Sequence, residues 1–308
     1  MPKAYVFTRY GGPETEAFVD VDRPSPGPGE VLVAVRAAGV NPVDWKLRQG
    51  YRRPGDSTER VFPSVLGSEV AGVVEETGEG VTGFAPGDEV FGTAVAGGYA
   101  EYALLAAGIT AHRPAGLSFA AAATLPVAAA TAYDGVHQLG LPAGATLLVT
   151  GAGGGVGVAA VQIARALGVR VVGVAGEGKK ALLESLGVVH VPSGAGWDER
   201  VRAAAPDGVD GAYDLVGGEV LHTAATLVKD PAKLITAGAP AEEVEALGGA
   251  RVRRARDADV LRAVADLVVD GDLDPHITRT FPLERAGEAL REVESGHAQG
   301  KIVIEVAG

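Results

Sequence analysis

The stretch Leu147-Leu148-Val149-Thr150-Gly151-Ala152-Gly153-Gly154-Gly155-Val156-Gly157-Val158-Ala159 reads as a hydrophobic strand, a glycine turn and the start of a helix. Taken as Ala152-x-Gly154-x-x-Gly157, it fits a variant of the dinucleotide-binding fingerprint, and the strand before and helix after supply the required context. Gly153, Gly154 and Gly155 lack the Cβ atoms that would keep a pyrophosphate off the backbone. Gly157 lets the helix lie close to the strand, and the N–H groups that open the helix around Val156 offer partial positive charge to phosphates. A tight turn in a chain with 45 glycines is the alternative. The next strand ends Val174-Ala175-Gly176, with no carboxylate where an NAD site places one for the ribose hydroxyls. Lys179 and Lys180 follow within one turn as partners for a 2′-phosphate. Glu177 argues for the opposite preference, and both lysines also suit a solvated first turn. NADPH is the expected cofactor, with Lys180 the expected phosphate partner.

Other chemistries are excluded or disfavoured by composition. The chain has no Cys, which removes disulfides, thiolate zinc sites, iron–sulfur clusters and a thiol nucleophile. His112, His137, His190, His222, His276 and His297 are scattered, so no metal is expected. The 39 acidic and 27 basic residues leave a net charge of −12, which repels phosphate backbones and makes nucleic acid an unexpected partner. The longest apolar run, around Phe119–Thr131, is interrupted by Pro126 and falls short of the roughly 18 residues that span a bilayer. Met1-Pro2-Lys3-Ala4-Tyr5 runs directly into a strand-like pattern, so no signal peptide and a cytoplasmic location are expected.

The elements that must hold the glycine loop follow from the pattern. With 308 residues, about two domains are expected. Val31–Ala37 and Glu69–Glu75 read as strands between Pro/Gly-rich turns, and Phe84-Ala85-Pro86-Gly87-Asp88 as a tight turn. Closely spaced short strands predict a small barrel-like β domain. From Leu117 Ala/Leu-rich helical stretches begin. Strands at Thr146–Thr150, Val169–Val174, Val188–Val191, Gly211–Val216 and Lys233–Thr236 then alternate with helices at Val156–Leu167 and Lys179–Leu186, which implies a covered parallel sheet. A last strand is expected at Lys301–Val306. Tyr99 and Tyr102 read as core or wall residues of a half-buried strand, and Trp45 as packing. Arg251, Arg253, Arg254 and Arg256 read as a solvated basic edge.

Taken together, Ala37-Ala38-Gly39-Val40-Asn41-Pro42-Val43-Asp44, Val65-Leu66-Gly67-Ser68-Glu69-Val70-Ala71-Gly72, Gly98-Tyr99-Ala100-Glu101-Tyr102, Thr131-Ala132-Tyr133, the glycine loop and Gly300-Lys301-Ile302-Val303 resemble the zinc-independent medium-chain dehydrogenase/reductases of the NADPH:quinone oxidoreductase, or zeta-crystallin-like, group. The resemblance runs from residue 3 to residue 306. It implies an α/β Rossmann domain with a doubly wound parallel sheet (118–264), a GroES-like, mostly β catalytic domain (1–117, completed by 265–308), a cleft between them and a homodimer.

The implied chemistry is hydride transfer from NADPH to a quinone or related conjugated carbonyl without a metal. An alkenal/enone double-bond reductase, or an NADPH-binding sensor or structural protein without turnover, are the alternatives. The resemblance puts Asn41 beside the nicotinamide, Asp44 and Lys46 with it in the catalytic set, and Thr131, Gly176 and Gly238 with the glycine loop in the cofactor set. Lys46 would be a cationic partner for an oxyanion or a proton donor; many quinone reductases of the group have Tyr there. The residue readings are that Asn41 opens a turn, Asp44 pairs with an Arg or a backbone N–H, and Lys46 and Arg48 form a solvated face. Zinc-dependent relatives carry a Cys near Asn41 and a His where this chain has Ser68, and catalytic zinc needs about three protein ligands. Some relatives have a Tyr after the third strand near the 2′-phosphate, where this chain reads Val191-Pro192-Ser193-Gly194.

Overall fold

The computed structural model describes residues 1–52, 59–255 and 257–307; Arg256 of the basic run lies outside them. The chain divides into two compact units, one formed by Met1–Val127, Arg256–Val269 and Ile277–Gly308, the other by Ala128–Ala255 and Asp270–His276. Along the first unit run β1 (Lys3–Phe7), β2 (Glu16–Asp20), β3 (Glu30–Gly39), α1 (Pro42–Arg48), β4 (Ser64–Val65), β5 (Glu69–Thr77), β6 (Glu89–Ala94), β7 (Tyr102–His112) and α2 (Phe119–Ala122). A π-helical turn, Leu125–Ala129, leads to α3 (Ala130–Leu139). The second unit continues with β8 (Thr146–Thr150), α4 (Gly155–Ala166), β9 (Arg170–Ala175), α5 (Lys180–Ser185), β10 (Val189–Pro192), α6 (Trp197–Ala204), β11 (Gly211–Asp214), α7 (Glu219–Ala225), β12 (Leu234–Thr236), α8 (Ala241–Glu245) and β13 (Ala250–Arg251). The first unit is completed by α9 (Ala258–Val269), β14 (Ile277–Pro282), α10 (Ala286–Glu294) and β15 (Lys301–Glu305).

In the first unit β3, β5, β6 and β7 pair in sequence and β7 pairs back onto β3, closing an antiparallel barrel that β15 and β14 extend. Closure leaves these strands without a free edge among themselves. Val31, Val33, Val35, Val70, Val74, Val90 and Leu105 fill its core, and all but Leu105 are β-branched residues that suit a pleated, buried surface. The division between units falls later than residue 117. Residues through Val127 stay with the barrel because α2 packs on β3 and β5 and the Val127 N–H donates to Glu69 Oε2 at 2.7 Å. Likewise α9 packs against β7 rather than the parallel sheet.

The second unit is a wholly parallel sheet in the order β10-β9-β8-β11-β12-β13, the doubly wound arrangement in which the strand order reverses between β8 and β11. The sequence pattern locates β8 to β12 to within a residue or two and misses β13, where Arg251 reads as a solvated edge; one further difference is instructive. Strand β11 stops at Asp214 instead of Val216, because the Asp214 carboxylate takes the N–H groups of Val216 and Gly217 out of the ladder. The expected helix from Lys179 is a 3-10 turn, Glu177–Lys179, followed by α5.

Helix α1 buries Asp44, Leu47 and Arg48, positions three and four apart that share one helical face. Arg48 is not part of a solvated face, because its fully buried guanidinium holds the helix in place: it pairs with Glu16, donates from Nη2 to both carboxylate oxygens of Glu294 of α10 at 2.8 and 2.9 Å, and donates from Nε to the Gly11 carbonyl at 3.2 Å. Glu16 also accepts from Tyr5 at 2.9 Å; burial and this contact hold the Tyr5 hydroxyl well above its usual range. Removing the cation alone would strand a buried carboxylate. Arg48→Met is therefore expected to cost about 3 kcal/mol or more in urea unfolding, and adding Glu16→Gln to recover part of the loss; equal stability of all three proteins would contradict this arrangement.

Candidate active site

In the first unit the chain leaving β3 crosses the start of β15, and two ionisable side chains and an amide meet there out of water. Lys301 is buried, and its ammonium donates to Glu69 Oε1 at 2.9 Å, Asn41 Oδ1 at 2.7 Å and the Val40 carbonyl at 3.1 Å. Asn41 returns its Nδ2 to the same Glu69 Oε1 at 2.7 Å, so its amide is engaged at both ends. Gly39 is required by this geometry: a Cβ there would collide with Glu69 Oε1 and the Ala123 carbonyl. One turn on, Asp44 accepts from the Asn41 N–H at 2.8 Å, Ser68 Oγ at 2.5 Å and the Tyr99 hydroxyl at 2.8 Å. Burial pushes the Asp44 carboxyl up to about 6 against those three hydrogen bonds, which favour the anion, with nearby Glu69 adding to the rise. Burial and the Asp44 charge push the Tyr99 phenol well above its usual range.

The face of α1 opposite this network carries Lys46, exposed to solvent with its ammonium 5.5 Å from the centre of the Trp45 ring. Trp45 packs against the barrel core. Asn41 and Asp44 are thus brought together, with Ser68, Glu69, Tyr99 and Lys301 around them, and Lys46 is not part of that cluster. Tyr99 is fully buried in the core, as its alternation with small residues suggests, but that pattern does not reveal the carboxylate its hydroxyl meets. A Lys at the start of an apolar strand, Lys301-Ile302-Val303-Ile304, was the visible signal for a buried cation.

In the second unit the turn after β8 is shaped by backbone bonds from Ala152 N to the Val174 carbonyl at 3.1 Å and from Gly154 N to Gly151 at 3.1 Å. Helix α4 begins at Gly155 with no side chain capping it, and its N–H groups at Gly155, Val156 and Gly157 precede the first helical bond, from Val158 to Gly154 at 2.8 Å. Such an opening is an anion site. A Cβ at Gly157 would collide with the Gly151 carbonyl, whereas one at Gly154 meets nothing nearer than 3.6 Å. Gly153 lies under the stem of Lys179, whose Cγ would be 2.7 Å from a Cβ there. Partial burial lowers the Lys179 ammonium's pKa. Gly176 is exposed and accepts from the Lys179 N–H at 2.9 Å, and Lys180 is exposed at the start of α5. Thr131 is buried on α3 and its carbonyl accepts from the Tyr213 hydroxyl at 2.8 Å. Gly238 sits against the loop after β11, where a Cβ would lie 2.7 Å from Val216 backbone atoms. A helix start open to anions, with a cation stem laid over the loop, fits a dinucleotide phosphate.

With the geometry in hand, residues 27–115 match the alcohol dehydrogenase GroES-like domain family and residues 186–304 the zinc-binding dehydrogenase family. A quinone oxidoreductase from Rattus norvegicus is 34% identical, covering 96% of this chain and 95% of that one. A 2-methylene-furan-3-one reductase from Solanum lycopersicum is 32% identical over 98% of this chain and 78% of the relative. The solved structure of the quinone oxidoreductase from Coxiella burnetii superposes with a TM-score of 0.91 at 29% identity, covering 99% of both chains. The chain belongs to the medium-chain dehydrogenase/reductase family. It is an oxidoreductase of that type, joining a GroES-like domain to a Rossmann sheet, and its family uses nicotinamide cofactors with small-molecule substrates. Among the described residues no helix is long and apolar enough to cross a membrane.

The zinc in one family description does not fit these side chains. Thiolate and imidazole ligands are absent from the cluster, where position 68 is Ser, and the oxygens of Asp44 and Glu69 already accept hydrogen bonds from Asn41, Ser68, Tyr99, Lys301 and Val127. No chemical step is assigned to a metal.

Because Asp44 holds its proton more tightly in the folded chain, the native state binds more protons between the ordinary Asp value and about 6, and stability falls as pH rises through that window. A shift of this size corresponds to on the order of 2–3 kcal/mol. Asp44→Asn lacks the step, so wild type should lose stability relative to the variant by about that amount between roughly pH 4 and 7; parallel pH profiles in urea denaturation would refute the assignment.

Proposed function

We propose that the protein is an NADPH-dependent, metal-independent reductase that passes hydride to quinones or related conjugated carbonyls. The observation that carries the reading is the uncapped start of α4 behind the glycine turn, with the Lys179 stem over Gly153, supported by the full-length similarity to quinone oxidoreductases. A bound nicotinamide supplies two electrons and a proton as hydride. The N–H groups of Gly155–Gly157 hold its pyrophosphate, with Ala152, Gly153 and Gly154 permitting the approach and Thr131, Gly176 and Gly238 lining the same cofactor. The 2′-phosphate falls first to Lys179, beside the loop, and second to exposed Lys180. Hydride arriving on the acceptor leaves negative charge on its oxygen, and the electrostatic task is to stabilise that charge. Lys46 is a cation with a free path to solvent for reprotonation, and Asn41 and Asp44 hold the start of α1 that carries it. The same reading makes the protein a cytoplasmic homodimer.

A second reading, reduction of an enone carbon–carbon double bond, is favoured by Lys46 standing where many quinone reductases of the group have Tyr, and by the similarity to a methylene-furanone reductase. The two separate on acceptors. With NADPH and NADH oxidation followed against 1,4-benzoquinone, 9,10-phenanthrenequinone and a 2-alkenal, quinone turnover with NADPH preferred is the expected result. Turnover of the alkenal alone moves the protein to the double-bond reductases, and silence with tight NADPH binding makes it a sensor.

Lys179→Ala should raise the NADPH KM about tenfold, the scale of one charge-assisted contact, and leave NADH unchanged, with Lys180→Ala acting in the same direction more weakly. Equal effects on both nucleotides would remove the phosphate role. Lys46→Ala should lower kcat more than it weakens NADPH binding, and unchanged turnover would show that Lys46 is only surface charge.

A further inference from the structure

The strand order of the parallel sheet reverses between β8 and β11, and in such sheets ligands bind outside the carboxyl ends of the strands at that point. The buried carboxylate of Asp214, the last residue of β11, stands there. Oδ1 accepts from the Thr150 hydroxyl at the end of β8 at 2.6 Å and from Val216 N at 3.2 Å; Oδ2 accepts from Gly217 N at 2.9 Å and from the Thr236 hydroxyl at the end of β12 at 2.7 Å. The hydroxyl of Thr150 in turn accepts from Leu215 N at 3.3 Å, and that of Thr236 from Gly238 N at 3.0 Å and Ala239 N at 3.2 Å. Three side chains on three adjacent strands thereby satisfy the backbone of two consecutive loops, where the sheet ladder has ended.

The loop so held touches the glycine turn: a Cβ on Gly151 would lie 3.2 Å from Val216 Cγ2, and the Val216 side chain is half exposed. A strand-end carboxylate with a purely local role would bind its own following N–H groups and stop there.

We propose that Asp214, through Thr150 and Thr236, is a positioning residue for the nicotinamide cofactor, setting the β11 and β12 loops against the glycine turn. The proposal rests on the nicotinamide-cofactor reading of that turn. Thr236→Val and Thr150→Val keep side-chain shape and lose the hydroxyl; Asp214→Asn turns half of the acceptor into a donor. Dissociation constants for NADPH and NADH, measured on the whole protein by titration of nucleotide fluorescence, should rise about tenfold in Thr236→Val and more in Asp214→Asn, the scale of hydrogen bonds to a charged group. The acceptor KM should stay within about twofold, since this network lies on the nucleotide-binding sheet, and Thr236→Ser should recover most of the lost affinity.

If Asp214→Asn does not fold, the two valine variants decide. Lowered Tm with unchanged nucleotide affinity, or equal loss in Thr236→Ser and Thr236→Val, overturns the proposal. A wild type that prefers NADH overturns the NADPH assignment instead, and the variants are then read with NADH.

Discussion

The first unit turns on one buried cation. Lys301 is taken out of water at the foot of β15, and an ammonium there is tolerable only if every donor finds an acceptor. It finds Glu69, the Asn41 amide and the Val40 carbonyl, and in doing so ties the end of β3, the first residue of β5 and the first of β15 to one point. Everything that follows Asn41 inherits that position, including the helix that carries Asp44 on its inner face and Lys46 on its outer one. A second buried cation, Arg48, closes the other end of the same helix against Glu16 and Glu294. A short helix of this length has little stability of its own, and these two charges supply the direction that its hydrogen bonds cannot.

The second unit solves a similar problem with a carboxylate. Parallel strands end in loops whose N–H groups have no ladder partner, and burying them unsatisfied is costly. Asp214, Thr150 and Thr236 take up five of those groups between them. The loops are therefore shaped by side chains, which makes their form a property of three residues and not of the sheet. The glycine turn works the opposite way. Its first helical N–H groups carry no side-chain cap, and what matters there is the absence of side chains.

Where zinc-dependent relatives use a His, this chain has Ser68, and the consequence reaches beyond the loss of a ligand. Asp44 and Glu69 become acceptors for hydroxyl, phenol, amide and ammonium donors. The site retains charge, yet all of it is directed inward. That arrangement makes it a scaffold for the loop.

What the sequence determined alone was the local architecture. Periodicity placed β8 to β12 with α4 and α5, since alternation and glycine punctuation are local properties, and it marked the glycine turn through its strand and helix flanks; α6 to α8 and β13 left no such mark. Family-like segments pointed to Asn41 and Asp44. Only the tertiary structure decided what these residues touch. Tyr99 stands 55 positions from Asp44, Lys301 stands 260 from Asn41, and Asp214 stands 64 from Thr150. Nothing in the neighbourhood of any of them records the partner. Burial and hydrogen bonding across strands are consequences of sheet order and register, which depend on chain closure over long separations. The different surroundings of Lys179 and Lys180 have the same origin: the 3-10 turn before α5 lays the Lys179 stem over Gly153 and leaves Lys180 exposed.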